Sequence, residues 1–407
     1  MAYYPKLANI EKAVKRIASV CKPTPLQFNQ ELSAHHKANV YLKREDLGPV
    51  RSYKLRGAYN KMFYSNAKSV VTCSAGNHAQ GVAFSCSTLD IMGDIFMPTI
   101  TTQQKIQKVK QFGGKNVNIF LQGSNLDESF EFAKKHAKEE NKEFVHPFDD
   151  EKVIEGQATV GVEIILQMKE RQIDYLFLPV GGGGLASGVS SYIKEVSPNT
   201  EIIGVEPKGA PSMFEAFQAN KVVKLDSIDS FVDGASVKRV GDLNFPICKK
   251  NLEDMILIDE GHVCSKMIQL YNENGFIIEP AGVLSLCALD MYPELQGKNI
   301  VSIITGGNSD VFRMPEILEK SLVYEGLKHY FKIHFAQKAG SLKEFVLKAL
   351  GPTDDIIYFR YTRAINKETA PVVIGLQVRT KEDIQKVMKN MNSLGFSYEK
   401  LNSLAEE

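Results

Sequence analysis

The sequence predicts an α/β protein: a large body built on parallel sheet with helices on both faces, followed by a small βαββαβ unit. Two observations carry this. Over the first three quarters of the chain, short runs rich in Val, Ile and Phe alternate with amphipathic stretches of about 10–15 residues, the texture of parallel strands joined by helices. Near residue 311 the texture changes, and shorter elements follow in the order strand, helix, strand, strand, helix, strand.

In the body, strands are expected over residues 40–43, 70–73, 94–97, 118–121, 175–180, 202–205 and 300–304. Helices are expected over 55–64, 80–87, 102–112, 125–140, 156–169 and 185–196. Residues 311–327 read as a helix and linker. Beyond them come strand 329–335, helix 341–350, strands 356–362 and 372–378, helix 381–394 and a short strand 397–401. Ile384, Val387, Met388 and Met391 fall on one helical face, as do Leu342, Phe345, Val346 and Ala349. Ser341, after the breaker Gly340, is placed to cap its helix. The domain expectation is a body over 1–320 with a smaller subdomain at roughly 50–155, a linker over 321–328, and a ferredoxin-like unit over 329–407. That last unit has no phosphate loop or metal cluster, which suits binding, regulation or oligomer contact.

Composition narrows the function classes. The 407 residues carry 49 Lys plus Arg against 48 Asp plus Glu, a formal charge of +1, which gives no footprint for nucleic acid or an anionic membrane. The six cysteines are scattered without a CxxC pair, so reduced thiols are expected rather than a disulfide framework or a zinc ribbon. No apolar signal core opens the chain and no bilayer-length apolar run occurs, so the expected location is cytoplasmic.

The strongest chemical signal is the run YLFLPV at 175–180 leading into Gly181, Gly182, Gly183 and Gly184 and then Leu185. Four glycines lose much backbone entropy on folding, so something needs the bare backbone there. Converging N–H groups at a helix start suit a phosphate, although a tight strand-to-helix crossover would also use a glycine. Leu185 stands where a nucleotide-binding P-loop needs lysine, and Ala186 where the dinucleotide fingerprint needs its third glycine. A smaller phosphorylated cofactor fits better.

Three further segments follow strands or open helices. In Arg51-Ser52-Tyr53-Lys54-Leu55-Arg56-Gly57, a partly desolvated Lys54 would have a lowered pKa and a nucleophilic amine, though by itself the segment reads more readily as carrying an ordinary surface lysine. In Ser74-Ala75-Gly76-Asn77-His78, small and amide residues at a strand end suit a carboxylate ligand. There His78 reads more readily as a cap or packing residue than as a base. Thr305-Gly306-Gly307-Asn308 follows the strand at 300–304, where open sheets bind ligands. No metal set competes: His35-His36 is an adjacent pair, and neither an H-E-x-x-H helix nor a G-x-S-x-G elbow occurs.

Taken together and in this order, SYKLRGA, SAGNHAQG, PVGGGGLASG and TGGN resemble the fold type II (tryptophan synthase β-like) pyridoxal-phosphate enzymes, and among them the threonine dehydratases. The resemblance covers nearly the whole chain. It implies a body of two open α/β subdomains and a single ACT-like regulatory domain over about 329–407. It implies pyridoxal 5'-phosphate as cofactor, with Lys54 as its Schiff-base lysine and general base. Asn77 then faces the cofactor's 3-hydroxyl, and Gly181, Gly182, Gly183, Gly184 and Leu185 form the phosphate cradle. Thr305 stands against the pyridine nitrogen, and Ser74, Ala75, Gly76 and His78 clamp the substrate carboxylate. Glu279-Pro280-Ala281-Gly282 matches another family stretch near the site. Glu206 and Ala210 match two positions of the divalent-cation site of related serine dehydratases and racemases, but Ser212 replaces the expected carboxylate, so no metal is expected.

The implied reaction is deamination of L-threonine to 2-oxobutanoate and ammonia, the first step of isoleucine biosynthesis. Feedback by L-isoleucine would act through a pocket around residues 340–350 and 359–362, in a homodimer or homotetramer. Neighbouring readings are an L-serine dehydratase or serine racemase on the same fold, with Ser74 as the racemase's second acid–base group. A non-catalytic amino-acid sensor should have lost Lys54 or the glycine loop, and both are present.

Overall fold

The computed structural model describes residues 3–361 and 369–401. They divide into two compact units, Met1–Val311 and Phe312–Glu407.

In the first unit the elements run α1 (Leu7–Ile17), β1 (Leu26–Phe28), α2 (Gln30–His36), β2 (Asn39–Arg44), α3 (Lys54–Ser65), β3 (Ser69–Cys73), α4 (Asn77–Leu89), β4 (Met92–Met97), α5 (Gln103–Gly113) and β5 (Val117–Leu121). They continue with α6 (Leu126–Glu139), β6 (Glu143–Phe144), α7 (Glu151–Met168), β7 (Tyr175–Pro179), α8 (Gly184–Val196), β8 (Glu201–Pro207) and α9 (Ser212–Ala219). The last are α10 (Asn244–Asn251), β9 (Asp254–Ile258), α11 (Glu260–Asn274), α12 (Pro280–Cys287) and β10 (Asn299–Ile304). Two sheets result, a six-stranded one in the order β1-β2-β10-β7-β8-β9 and a four-stranded one in the order β5-β4-β3-β6. Every pairing is parallel except that of β1 with β2.

All seven strands expected in the body are present, and the six helices are found with shifted ends. α7 starts at Glu151 rather than residue 156, because the Asp150 carboxylate accepts from Lys152 N at 2.7 Å and Val153 N at 3.0 Å, a helix start written in the sequence. α4 starts at Asn77 rather than residue 80. The short strands β1, β6 and β9 are additions, as are α1, α2 and α9–α12. α1 carries an ordinary helical stripe, with Ile10, Ala13 and Ile17 buried. The core around the larger sheet joins Val160, Ile164 and Met168 of α7 to Leu176 and Leu178 of β7 and Val189 and Ile193 of α8. Both faces of β7 are therefore covered, as its unbroken apolar run requires.

The second unit runs α13 (Met314–Tyr324), β11 (Lys328–Ala336), α14 (Ser341–Lys348), β12 (Asp355–Tyr361), β13 (Thr369–Gln377), α15 (Lys381–Ser393) and β14 (Ser397–Leu401). Its antiparallel sheet has the order β12-β13-β11-β14. Phe331, Ile333 and Phe335 of β11 face the helices with Phe345, Ile384, Val387 and Met391, while Tyr330, Val373 and Leu401 pack on the other face with Val323 of α13. That contact places α13 with the second unit, so the division lies between Val311 and Phe312, where the sequence pattern put it after residue 320. Two local expectations are corrected. Ser341 does not cap α14: the capping position is Gly340 at φ 94°, and the Ser341 hydroxyl donates to Ala336 O at 2.7 Å. The buried stripe of α14 is Ser341, Phe345 and Ala349, whereas Leu342 and Val346 are exposed. Thr362, expected to end a strand and to border the effector pocket, lies outside the described residues.

All six cysteines are free thiols and buried. Among the described residues no helix is long and apolar enough to cross a membrane.

Candidate active site

Lys54 is the first residue of α3, and the turn before it is pinned to the segment after β10. Ser52 bridges Gly306, Tyr53 N donates to Thr305 O at 3.2 Å, and Gly307 N donates to Arg51 O at 2.9 Å. Two segments remote in sequence thus meet through backbone bonds. Lys54 Nζ donates to the Pro147 carbonyl at 3.0 Å. Burial pushes the Lys54 ammonium down to a pKa of about 8, with Glu279 partly opposing it.

The glycine loop is built by close approach. A Cβ on Gly182 would lie 2.4 Å from ring carbons of Phe148, and one on Gly184 would lie 2.9 Å from the Phe148 Cβ. Gly183 sits at φ 94°, in the left-handed region. The Gly182 carbonyl accepts from Gly241 N and from Asn244 Nδ2, both at 3.0 Å, and Asn244 Nδ2 also donates to Phe148 O at 3.1 Å. The amide side is left open. The first bond into α8 runs from Ser187 N to Gly183 O at 2.8 Å, and among the described residues no group accepts from the N–H groups of Gly181, Gly182, Gly183, Gly184 or Leu185. Phe148 follows Pro147, so the lysine amine and the loop share one stretch of chain.

At the end of β3, Ser74, Ala75, Gly76 and Asn77 are half-buried, and the Ser74 hydroxyl accepts from Gly76 N at 3.1 Å. A Cβ added at Gly76 would meet nothing within 4 Å, so this strand end faces open space. Asn77 Nδ2 donates to Glu279 Oε1 at 2.7 Å, and Asn308 Nδ2 donates to Asn77 Oδ1 at 2.8 Å. Glu279 also accepts from Asn308 N at 3.3 Å, and burial, with Asp233 adding to it, pushes its carboxyl up to about 7. Thr305 is buried, and its Oγ1 has no hydrogen-bond partner among the described residues.

The structure therefore brings together Lys54, Asn77, the glycine loop and Thr305, with Ser74, Ala75 and Gly76 alongside. His78 lies inside the first turn of α4, 2% exposed, with Nε2 on the Val145 carbonyl at 3.0 Å. Burial, with Lys54 adding to it, pushes its pKa down to about 3, which disfavours the protonated ring. Glu206 accepts from Ser212 Oγ at 3.3 Å and from Met213 N and Phe214 N, both at 2.8 Å, so its carboxylate is occupied by the start of α9. Sequence reasoning gave Glu279 no role and missed Phe148 and Asn244. The first had a signal, a carboxylate before Pro280 at a helix start, whereas the other two had none.

The site also fits a cofactor the chain does not itself supply. A row of unpaired N–H groups suits a phosphate, the orphaned Thr305 hydroxyl needs a polar partner in a dry place, and an amine with a lowered pKa suits a carbonyl. Residues 17–306 match the family described as pyridoxal-phosphate dependent enzymes, and the chain belongs to that family. Residues 319–405 match the C-terminal regulatory domain of threonine dehydratase. The chain is 48% identical, over 98% of its length and 97% of the relative's, to the biosynthetic L-threonine dehydratase of Halalkalibacterium halodurans. With the enzyme of the same name from Bacillus subtilis the identity is 46%, over 98% and 95%. Among solved structures, the processed threonine deaminase isoform 2 of Solanum lycopersicum superposes with a TM-score of 0.72 at 36% identity, covering 79% of this chain and 90% of that one. Maize serine racemase superposes with a TM-score of 0.72 at 29% identity, covering 79% and 99%. The body thus has the tryptophan synthase β-like fold, followed by a C-terminal regulatory domain.

Proposed function

We propose that this chain is a threonine ammonia-lyase: it deaminates L-threonine to 2-oxobutanoate and ammonia with pyridoxal 5'-phosphate, in isoleucine biosynthesis. The observation that carries the reading is that the Lys54 amine and the glycine loop with its unpaired N–H groups share the Pro147–Phe148 stretch, while Thr305, its hydroxyl orphaned, is bonded to the turn before Lys54, within a chain that aligns end to end with biosynthetic L-threonine dehydratases.

Pyridoxal phosphate, when bound, supplies an electron sink for the charge left as the α-proton of an amino acid is removed. The chain's residues do the rest. Lys54 holds the cofactor and, as a neutral amine, takes the Cα proton of threonine as general base. The N–H groups of Gly181, Gly182, Gly183, Gly184 and Leu185 hold the phosphate. Thr305 would offer a neutral hydroxyl to the pyridine nitrogen, where an aspartate would offer a carboxylate. Asn77, fixed by Glu279 and Asn308, would lie by the ring hydroxyl. Ser74, Ala75 and Gly76 receive the substrate carboxylate, with His78 supporting them from below.

The test is 2-oxo acid formation from L-threonine and L-serine side by side, with and without L-isoleucine. Threonine turnover suppressed by isoleucine is the expected result, and indifference to isoleucine would remove the effector from the reading. The likeness to maize serine racemase, with a Ser74 hydroxyl that keeps its own proton to give, favours D-serine formation as the second reading; chiral analysis of the serine reaction decides between them. We place the effector site in the C-terminal unit and the working form as a homodimer or homotetramer.

Two predictions follow from the site. Because only the neutral amine adds to an aldehyde, the rate at which apoenzyme captures pyridoxal phosphate should rise as pH passes about 8, the lowered Lys54 value, and level off above it. Stopped-flow absorbance reads this, and a rise centred near the ordinary lysine value of about 10.4 would contradict it. In Gly182→Ala, the new methyl group meets the Phe148 ring, so the loop must shift off its phosphate. Cofactor affinity should fall roughly tenfold or more, an effect of about 1.4 kcal/mol upward, measured by fluorescence titration of apoenzyme.

A further inference from the structure

The carboxyl ends of β7 and β10 carry the glycine loop and Thr305; the amino ends of β2 and β10 carry a second polar cluster. α2 ends at His36 just before β2, and a short turn after α12, Ala288–Asp290, precedes β10. Asn39 and Asn299, the first residues of these two strands, are paired, so both approaches reach the sheet side by side. The cluster is one strand length, roughly 20 Å, from the Thr305 end.

His35, His36 and Asp290 each offer one ligand atom, and the three atoms lie within 4.8 Å of one another. The His36 side chain is 8% exposed, and its Nε2, buried without a hydrogen-bond partner among the described residues, lies 3.5 Å from Asp290 Oδ1. That spacing is long for a hydrogen bond. Two ligands at about 2.0–2.1 Å from a tetrahedral zinc ion stand about 3.4 Å apart, so the gap matches one ion. The other carboxylate oxygen, Oδ2, is held at 2.8 Å by both His262 Nε2 and Lys266 Nζ. Such outer partners commonly orient a metal-binding carboxylate.

We propose that His35, His36 and Asp290 form a binding site for a divalent transition-metal ion, Zn²⁺ by ligand type, with water completing its coordination. Two imidazoles and one carboxylate suit zinc better than calcium or magnesium, which take oxygen ligands. His35 and His36 are the last two residues of α2, with ring centroids 4.7 Å apart, and the exposed His35 would close the remaining distance by side-chain rotation. The ion ties the end of α2 to the turn before β10 and takes no part in the distant chemistry. Lys266 opposes it electrostatically through Oδ2.

The full-length, cofactor-loaded protein, stripped with a chelator, is titrated with Zn²⁺ by calorimetry and with Co²⁺ by visible absorption. One ion per chain is expected, with the Co²⁺ bands of a low-coordinate nitrogen and oxygen site. His35→Ala should weaken binding roughly tenfold or more, and Lys266→Met should tighten it, a gain that a purely structural ion-pair cluster would not give. Because His35 is exposed, its variant keeps the fold, which far-UV circular dichroism checks. Absence of any bound ion in the wild-type protein, or wild-type affinity in His35→Ala, would overturn the proposal.

Discussion

Lys54→Ala is expected to abolish threonine deamination, lowering turnover by about 10⁴-fold, the upper end of what a positioned general base supplies. The size of the effect follows from the duplication of roles in one amine, which both holds the cofactor and moves the α-proton. The variant should fold normally, because the structure gives the side chain one hydrogen bond, to Pro147 O at 3.0 Å. Phosphate-loop contacts should still retain some cofactor, now without the absorbance band of the lysine-linked form. A small primary amine added to the assay should restore part of the rate if Lys54 acts as a base. Turnover within tenfold of wild type would mean that another group takes the proton. Glu279 is the carboxyl nearest in character, since burial pushes it up to about 7, so Glu279→Gln belongs in the same series.

The sites legible in the sequence were those where chemistry demands an unusual residue. Four consecutive glycines announce a bare backbone, and the structure shows Phe148 and Ala235 pressed where their Cβ atoms would be. Strands β7 and β10 were legible because burial on both faces forces an unbroken apolar run. His78 was harder: its place in the motif says only that it lies near the site, and its direction is set by the Val145 carbonyl, a tertiary partner. α14 shows the same limit. Leu342, Phe345, Val346 and Ala349 read as one stripe, and only packing of Phe345 against Phe335 and Phe396 turns the helix so that Phe345 and Ala349 are buried while Leu342 and Val346 stay exposed. Phe148 and Asn244 support the glycine loop from remote segments and carry no local pattern at all.

Arg56, two residues after Lys54 in the same motif, should matter for stability as Lys54 does for turnover. Its guanidinium is 2% exposed. Nε and Nη2 donate to the two oxygens of Glu45 at 2.8 and 2.9 Å, and Nη1 and Nη2 to those of Glu163 at 2.6 and 2.9 Å. Lys43 Nζ joins Glu163 at 2.6 Å, so two cations and two anions balance in a nearly dry place. Burial works to raise Glu45, but Arg56 and Lys43 outweigh it and keep the carboxyl below its ordinary range. The group ties β2, the turn after it, α3 and α7 together, which fixes the helix that begins at Lys54. Arg56→Met leaves one buried carboxylate uncompensated, and breaking a buried pair from one side costs about 3–5 kcal/mol. Thermal inactivation should shift down by roughly 5–10 °C. Arg56→Lys keeps the charge but loses the two-pronged geometry, and should fall between the two. Restoring charge balance with Arg56→Met plus Glu163→Gln should recover part of the loss, because the penalty lies in the unpaired charge. If the double variant is as unstable as the two single losses summed, the network is a set of independent contacts and the charge-balance account fails.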